Sequence, residues 1–585
     1  MRSTEHRYAE PSSHRAFEND SARSSRGARD GDAERDARRT PEGDTATNRG
    51  GASPVEVFDS IVLVSNRQPY RHEYAADDED PDGPDPGTDG CGGVVSDGGT
   101  SELAGEPAEA VDGRSVTVER PTGGLTAGLD PVLREVGGTW VAWGDGEADR
   151  AAADDRGRVQ VPPEDPAYTL QRVWLDEPEV DAYYRGYSNR VLWPTCHGLP
   201  LLIEDRDGDF DGYRRVNRRF ADAAIEHAGP DTLVWLQDYH LALAPESIAN
   251  ATPPTTTVGQ FWHVPWPTPS ILARCPHGRR ILEGLLGNDL LGFHVDRYAQ
   301  RFLGCVDRFL PDADVNYETG VVRRGERRTR VTATPLGVDA ERHDRQSRSV
   351  DPGVFDSLED ALDLGGVGAL ALGVDRLDYS KGIPERIAAV ERFLERWPSW
   401  RGEFTFVQTA SPSRTEIPAY EALGDRVRRA VDRVNDRFAT DDWRPIVYTE
   451  AHLSREELCA LYRRADLMLV TPLCDGMNLV AQEYVAASAD GAGALCLSRD
   501  AGAHDVFGEH AYSIDPRRPD DVAETIRSAL TAPSSERRRR MTELRRDVFE
   551  RDLNWWMGRQ FDDLTLTRRP DPATLPGRAG SGDRK

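Results

Sequence analysis

The sequence predicts an α/β protein made of two Rossmann-like domains whose parallel sheets face a cleft, and three observations carry that prediction. The chain has 585 residues, more than one hydrophobic core usually supports. Short, continuously apolar runs alternate with helix-like segments, the pattern of strands buried on both faces of a parallel sheet. That alternation runs through once, breaks, and starts again, so two sheets are expected rather than one.

The first set of strands opens at 61–64 and continues with 233–236, 257–262, 290–293 and 330–334, separated by helical segments such as 213–227 and 297–309. The second set comprises 368–374, 404–409, 446–448, 467–470 and 494–497, followed by a last helical segment at 548–564. The break falls where Asp, Arg, Ser and Gly crowd together, giving a first domain over 55–345 and a second over 346–565. Residues 1–54 mix ten acidic with ten basic residues among small polar ones, too little apolar surface to offset the entropy of ordering. They read as a disordered tail, and 566–585 as a second one. Between about 73 and 119, fourteen acids meet the single cation Arg114, so this stretch reads as an acidic, unstructured insertion in the first domain.

The formal net charge is -28, with 101 acidic against 73 basic residues, which disfavours a nucleic-acid partner. Lysine occurs only at 381 and 585; the remaining cations are arginine, and the surface is expected to be a shell of carboxylates. Such a shell suits a protein working in concentrated salt, where the Debye length shrinks to about 3 Å at molar ionic strength. The seven cysteines form no metal-binding spacing and read as reduced thiols. No apolar run approaches the roughly 20 residues that span a bilayer, so a soluble, cytoplasmic protein without a membrane partner is expected.

Chemistry gathers at strand ends. Strand 467–470 runs through Asp475-Gly476-Met477-Asn478 into the helix that starts Leu479-Val480, exposing backbone amides to an anion such as a diphosphate. Arg376 and Lys381 follow the first strand of the same domain, where doubly wound sheets bind ligands; they would meet the charge growing on a departing nucleoside diphosphate. Glu483, one turn into the helix, suits a ribose diol. In the first domain Asp238 and His263 each follow a buried strand, and the aromatic run from Tyr183 to Pro194 offers faces and hydroxyls for a sugar phosphate. Asp207-x-Asp209-x-Asp211 begins like a calcium loop but carries Arg218 at the twelfth position, where a bidentate Glu is required. Gly123-Gly124-Leu125 lacks dinucleotide-fingerprint spacing. No metal and no redox cofactor are expected.

Taken together, Ser65-Asn66-Arg67, Gly123-Gly124-Leu125, Asp238-Tyr239-His240, 285–294, 376–382 and 475–483 make the chain resemble the trehalose-6-phosphate synthase family, retaining glycosyltransferases of the GT-B fold, from about Asp59 to Leu564. The resemblance implies transfer of glucose from a nucleoside diphosphate glucose, UDP-glucose in this family, to glucose 6-phosphate. It implies Arg67, Tyr184, Trp193 and Arg330 around the acceptor, with Arg330 assigned by its distance before Pro335-Leu336-Gly337, and Asp238 on the acceptor sugar. It implies Arg376, Lys381 and Gly124 at the diphosphate, Glu483 at the ribose, and His263 and Asp475 with the following amides at the glucose. Retention in the family is ascribed to a same-face, internal-return displacement; read from the residues alone, a double displacement on Asp238 or Asp475 stays open.

Other readings stay open at this point. The stretches 123–133, 187–189 and 195–197 resemble glucosylglycerol-phosphate synthases as much, which would make glycerol 3-phosphate the acceptor. A catalytically silent sugar-phosphate sensor is the reading from another class, and it predicts losses among six residues that are all present: Arg67, Asp238, His263, Arg376, Lys381 and Glu483. The Asp-x-Asp-Gly-Thr motif of fused trehalose phosphatases is absent, so a separate phosphatase is expected in the pathway. The donor nucleobase stays open among uracil, adenine and guanine, and so does the oligomeric state, a homo-oligomer included.

Overall fold

The structure, a computed structural model, describes residues 57–75, 101–111, 114–121, 124–365 and 368–568. The expected tail at 1–54 and nearly all of the one at 566–585 lie outside the described residues.

A ten-stranded sheet runs in the spatial order Ala313–Asn316, Val321–Arg324, Arg327–Ala333, Leu290–Phe293, Thr257–Trp262, Thr232–Gln237, Ser60–Val64, Thr139–Trp143, Tyr168–Val173, Arg158–Val161. Its seven middle strands are parallel and its margins antiparallel. A six-stranded, all-parallel sheet follows in the order Ile446–Thr449, Phe404–Ser411, Ala369–Arg376, Leu467–Val470, Ala494–Ser498, Tyr512–Ile514. This is the expected GT-B architecture. In each sheet the chain starts centrally, builds to one side and then returns to the other. The order therefore reverses between Ser60–Val64 and Thr232–Gln237 in the first sheet and between Ala369–Arg376 and Leu467–Val470 in the second. Such switch points leave a crevice beyond the strands' carboxyl ends.

Two expectations need correcting. The segment 73–119 is not wholly an unstructured insertion. Arg71–Tyr74, Arg114–Pro121 and Ser101–Val111 form a three-stranded antiparallel sheet with Arg114–Pro121 in the middle; residues 76–100 lie outside the described residues. The acid count over the whole stretch concealed a period-two alternation in which Val116 and Val118 are buried while Thr117 and Glu119 are not. The final helical segment is likewise two helices, Ser534–Glu550 and Leu553–Thr567, the second capped by Asp552 on the Trp555 amide at 2.8 Å. It packs on the first sheet rather than the second, its fully buried Trp556 lying 5.8 Å from Trp235 and 5.0 Å from Phe261, ring to ring. The chain thus crosses between the two sheets twice, at 334–339 and 551–553, and the crossings touch where Leu553 donates to the Val338 carbonyl at 3.1 Å.

Candidate active site

On the second sheet, Arg376 ends its strand and Asp378 turns the chain, accepting from the Ser380 amide at 2.8 Å to cap the short turn Tyr379–Lys381. Gly382 then takes φ +64, and a Cβ there would lie 2.2 Å from the Thr471 carbonyl oxygen. Only glycine allows this bend against the neighbouring loop. The bend brings Lys381 Nζ to 2.7 Å from Asp475 Oδ2, with both side chains 12% exposed. The same carboxylate accepts from the Gly476 amide at 2.9 Å and from Asn478 Nδ2 at 3.0 Å. Burial pushes the Asp475 carboxyl up, but the Lys381 ammonium and these hydrogen bonds prevail and hold it below the usual range. Asn478, at φ 73, caps helix Leu479–Ala487 by accepting from Ala481 at 3.1 Å.

On the first sheet, Ser65-Asn66-Arg67 leave the strand Ser60–Val64 at the switch point. Asn66 is held by the Tyr183 hydroxyl at 2.7 Å, and Ser65 Oγ by Trp140 Nε1 at 2.8 Å. Asp238 follows Thr232–Gln237 at φ 69 and accepts from the His263 amide at 3.2 Å. Its carboxyl is pushed up to about 6 by burial, against the Tyr239 and His263 amides and the Arg67 and Arg414 cations. His263 Nε2 lies 3.0 Å from Gln237 Oε1 and so carries the proton, while burial and the neighbouring His294 hold the ring well below its ordinary value, hence neutral. The interlock of the halves is tight: a Cβ on Gly476 would lie 2.0 Å from the His263 carbonyl oxygen, and the Tyr298 hydroxyl donates to the Asp475 carbonyl at 2.6 Å.

Between the two switch points lies a cavity of about 470 Å³. Arg67, Trp193, Asp238 and His263 line it from the first half; Arg376, Lys381, Asp475, Met477, Asn478, Leu479, Val480 and Glu483 line it from the second. Glu483 accepts from the Tyr462 hydroxyl at 3.1 Å. Three predicted residues support the wall instead. Gly124 begins the helix Gly124–Val136, whose Thr126 lines the cavity. Gly476 is the contact point just described. Tyr184 sits behind the wall, stacked on His240 at 5.8 Å, yet near enough to act on the charge of Arg67.

Arg330 is a correction. It pairs with Asp563 at 3.4 Å and does not line the cavity. It stands in register with Leu290, the first residue of the neighbouring strand, whereas that strand meets the cavity beyond its last residue, at His294. Three residues of strand, about 10 Å, separate it from the chemistry.

Arg414, not Arg330, lines the cavity beside Trp193. Its guanidinium stacks 4.1 Å from the Trp193 ring, with Arg376 over the same ring at 5.6 Å, and it donates to the Tyr420 hydroxyl at 2.7 Å and to Asp378 at 3.2 Å. Arg67 faces both: burial lowers its affinity for the proton, and Arg376 and Arg414 lower it further. The signal was present in Ser411-Pro412-Ser413-Arg414, a cation three residues past the end of Phe404–Ser411, the neighbour of the strand that Arg376 ends. Asp378, His240, His294 and Tyr462 were also not singled out.

Arg376 and Arg414 over one indole, with Arg67 facing both, suit a phosphate group, which guanidinium forks bind through paired charge-assisted hydrogen bonds. Lys381 and the amides of helix Leu479–Ala487 make a second anion site. Among the described residues no group of three or more His, Cys, Asp or Glu is arranged to hold a metal ion, and no helix is long and apolar enough to cross a membrane.

Comparison with known proteins agrees with this geometry. Residues 95–566 match glycosyltransferase family 20. A trehalose-6-phosphate synthase of Mycolicibacterium vanbaalenii is 37% identical over 458 residues, 77% of this chain and 92% of the relative. A bifunctional trehalose-6-phosphate synthase/phosphatase of Thermoproteus tenax is 38% identical over 459 residues; the match covers 78% of this chain but spans only 61% of that longer protein. The crystal structure of a UDP-forming alpha,alpha-trehalose-phosphate synthase of Burkholderia xenovorans in complex with glucose-6-phosphate superposes with a TM-score of 0.70 at 30% identity, covering 86% of this chain and 99% of that one. The chain belongs to glycosyltransferase family 20.

Proposed function

We propose that the protein is an alpha,alpha-trehalose-phosphate synthase, transferring glucose from a nucleoside diphosphate glucose to the anomeric hydroxyl of glucose 6-phosphate with retention. One observation carries the reading: a single cavity lined by both halves holds the Arg67 and Arg414 guanidiniums beside Trp193 and, apart from them, the Lys381 ammonium with the amides of helix Leu479–Ala487, with Arg376, Asp238 and Asp475 in the same lining. Arg67 and Arg414 with Trp193 suit the acceptor's phosphate, and Asp238, at the neighbouring switch point, suits a hydroxyl of the acceptor sugar. Arg376, Lys381 and the helix amides suit the donor diphosphate, and Glu483 its ribose. Likeness to UDP-forming relatives favours UDP-glucose.

The hydrogen bonding argues against a covalent glucosyl-enzyme on Asp475 and supports the same-face displacement over that route. Both oxygens of Asp475 are committed, one to the Gly476 amide and the other to Lys381 and Asn478, which leaves the carboxylate a poor nucleophile. The acceptor hydroxyl then attacks beside the departing diphosphate, whose oxygen takes the proton, while Lys381 and Arg376 offset the charge developing there. The carboxylate-rich surface fits a cytoplasmic enzyme of concentrated salt making a compatible solute, with a separate phosphatase releasing trehalose.

Purified protein in high salt is offered UDP-, ADP- and GDP-glucose, each with glucose 6-phosphate, with glycerol 3-phosphate, or with no acceptor. The expected result is acceptor-dependent nucleoside diphosphate release, greatest with UDP-glucose and glucose 6-phosphate. Equal or faster turnover of glycerol 3-phosphate overturns the acceptor assignment, and no release with any pair overturns the enzyme reading altogether.

A further inference from the structure

A buried guanidinium underlies the donor half of the site without entering the cavity. Arg386, on helix Ile383–Arg396, has a side chain that is 0% exposed. Its Nε donates to Thr471 Oγ1 at 2.9 Å, its Nη1 to Gln408 Oε1 at 2.8 Å and its Nη2 to Asp375 Oδ2 at 2.6 Å. Thr471 and Asp375 stand at the carboxyl ends of Leu467–Val470 and Ala369–Arg376, and Gln408 lies midway along Phe404–Ser411; the three are neighbouring strands of one sheet.

Asp375 itself lines the cavity, and the other two acceptors are each one link from a residue of the site. Asp375 immediately precedes Arg376. The Thr471 hydroxyl lies 3.3 Å from the Lys381 carbonyl and 3.2 Å from that of Gly382, and its chain leads four residues on to Asp475. Gln408 donates to the Thr409 carbonyl at 2.8 Å, and Thr409 lines the cavity. The fold also makes room for the guanidinium: Gly373, inside a central strand, is placed so that a Cβ would lie 2.4 Å from Arg386 Nη1. A glycine in a strand interior weakens the strand and marks a close approach. Stability alone would be served as well by an apolar side chain of similar length, since taking a charge out of water is costly.

We infer, on the reading of the site given above, that Arg386 is a positioning residue for glucosyl transfer: it ties three neighbouring strands together, two of them at their ends, so that the loops bearing Arg376, Lys381 and Asp475 keep one separation. It touches no substrate. A displacement of about 1 Å in such loops costs on the order of 100-fold in rate. Because the diphosphate contacts themselves remain, the loss should appear in kcat more than in KM.

Steady-state kinetics and melting are measured for the wild type, Arg386→Lys, Gly373→Ala, the two combined, and the doubly neutral Arg386→Gln with Asp375→Asn. The last variant leaves no unpaired buried charge, so it remains informative where Arg386→Lys fails to fold. The expected result is a kcat at least 30-fold down with either KM within threefold, in every variant that stays folded at the assay temperature. Arg386→Lys and Gly373→Ala combined should fall no further than the worse of the two, since both disturb one contact. Folded variants with kcat within threefold of wild type overturn the inference, as does a loss carried by KM alone. An inactive wild type instead brings down the functional reading and this inference with it.

Discussion

The two halves of the cavity are built on different plans. The donor half is made of two short, contiguous runs, 376–382 and 475–483, each a strand end, a tight turn and the start of a helix. The acceptor half is gathered from distant places. Arg67 leaves the first strand, Trp193 follows the kinked helix Asp181–Leu192, Asp238 leaves a third element, and Arg414 comes from the other sheet. The charge environments differ too. Asp475 is held below its usual range by an ammonium and three hydrogen bonds, while Asp238 is pushed up to about 6 by burial. Two carboxylates in one cavity with displaced affinities in opposite directions have different work. A contiguous, pre-paired half suits a diphosphate held alike in every turnover; an assembled half suits an acceptor whose identity the surrounding segments select.

The sharpest test of that contrast is Lys381→Ala. Removing one preorganised cation from a developing anion costs about 2.7–4 kcal/mol, a fall of roughly 10²–10³ in kcat. The variant also strands Asp475 without its ammonium, so the donor half should lose stability as well as rate. Kinetics at saturating substrates and a melting curve read both losses. An unchanged kcat would remove the cation from the reaction and make the Lys381–Asp475 pair purely structural.

Next in size is Arg414→Ala. Losing a charge-assisted contact to a phosphate costs about 1.5–3 kcal/mol, which is roughly 10- to 100-fold in the acceptor KM, with the donor KM little changed. Arg330→Ala should leave both KM values within about twofold, because its ion pair with Asp563 is partly exposed and such pairs contribute about 0–1 kcal/mol. If the two variants exchange these behaviours, Arg330 rather than Arg414 meets the acceptor phosphate.

The same contrast explains what was legible in the sequence. Strands buried on both faces announce themselves as apolar runs, and 257–262, 290–293 and 467–470 coincide with the observed strands residue for residue. The donor loops were legible because their chemistry is local. Arg414 was not, because its partners Trp193, Tyr420 and Asp378 are brought together only by the fold, and because counting back from a distant motif pointed to Arg330 instead. Composition misled between 73 and 119 for a related reason: a charge average over the stretch says nothing about the alternation of Val116 and Val118 that pairs the strands. Arg386 escaped notice altogether, since on its helix it looks like one more arginine in an arginine-rich chain.

Stability across pH separates the two carboxylates most cleanly. An acid whose folded pKa is raised binds protons more tightly when folded, so its stability contribution is complete below the unfolded value of about 3.9 and is lost as pH rises through about 6. Above that window Asp238 is a liability to the free protein, and Asp238→Asn should be the more stable by about 3 kcal/mol at pH 8, with no advantage below pH 4. Asp475 has the opposite sign. Its lowered value stabilises the fold above the unfolded pKa, so Asp475→Asn should be less stable than wild type at pH 8, and the deficit should shrink in acid. Activity profiles separate these less well, because a sugar phosphate itself titrates near 6 and adds its own limb. Melting the substrate-free protein across pH avoids that overlap. Shifts of the same sign in the two variants would mean that the carboxylates share one environment, and the division of the cavity into a pre-paired half and an assembled half would fall.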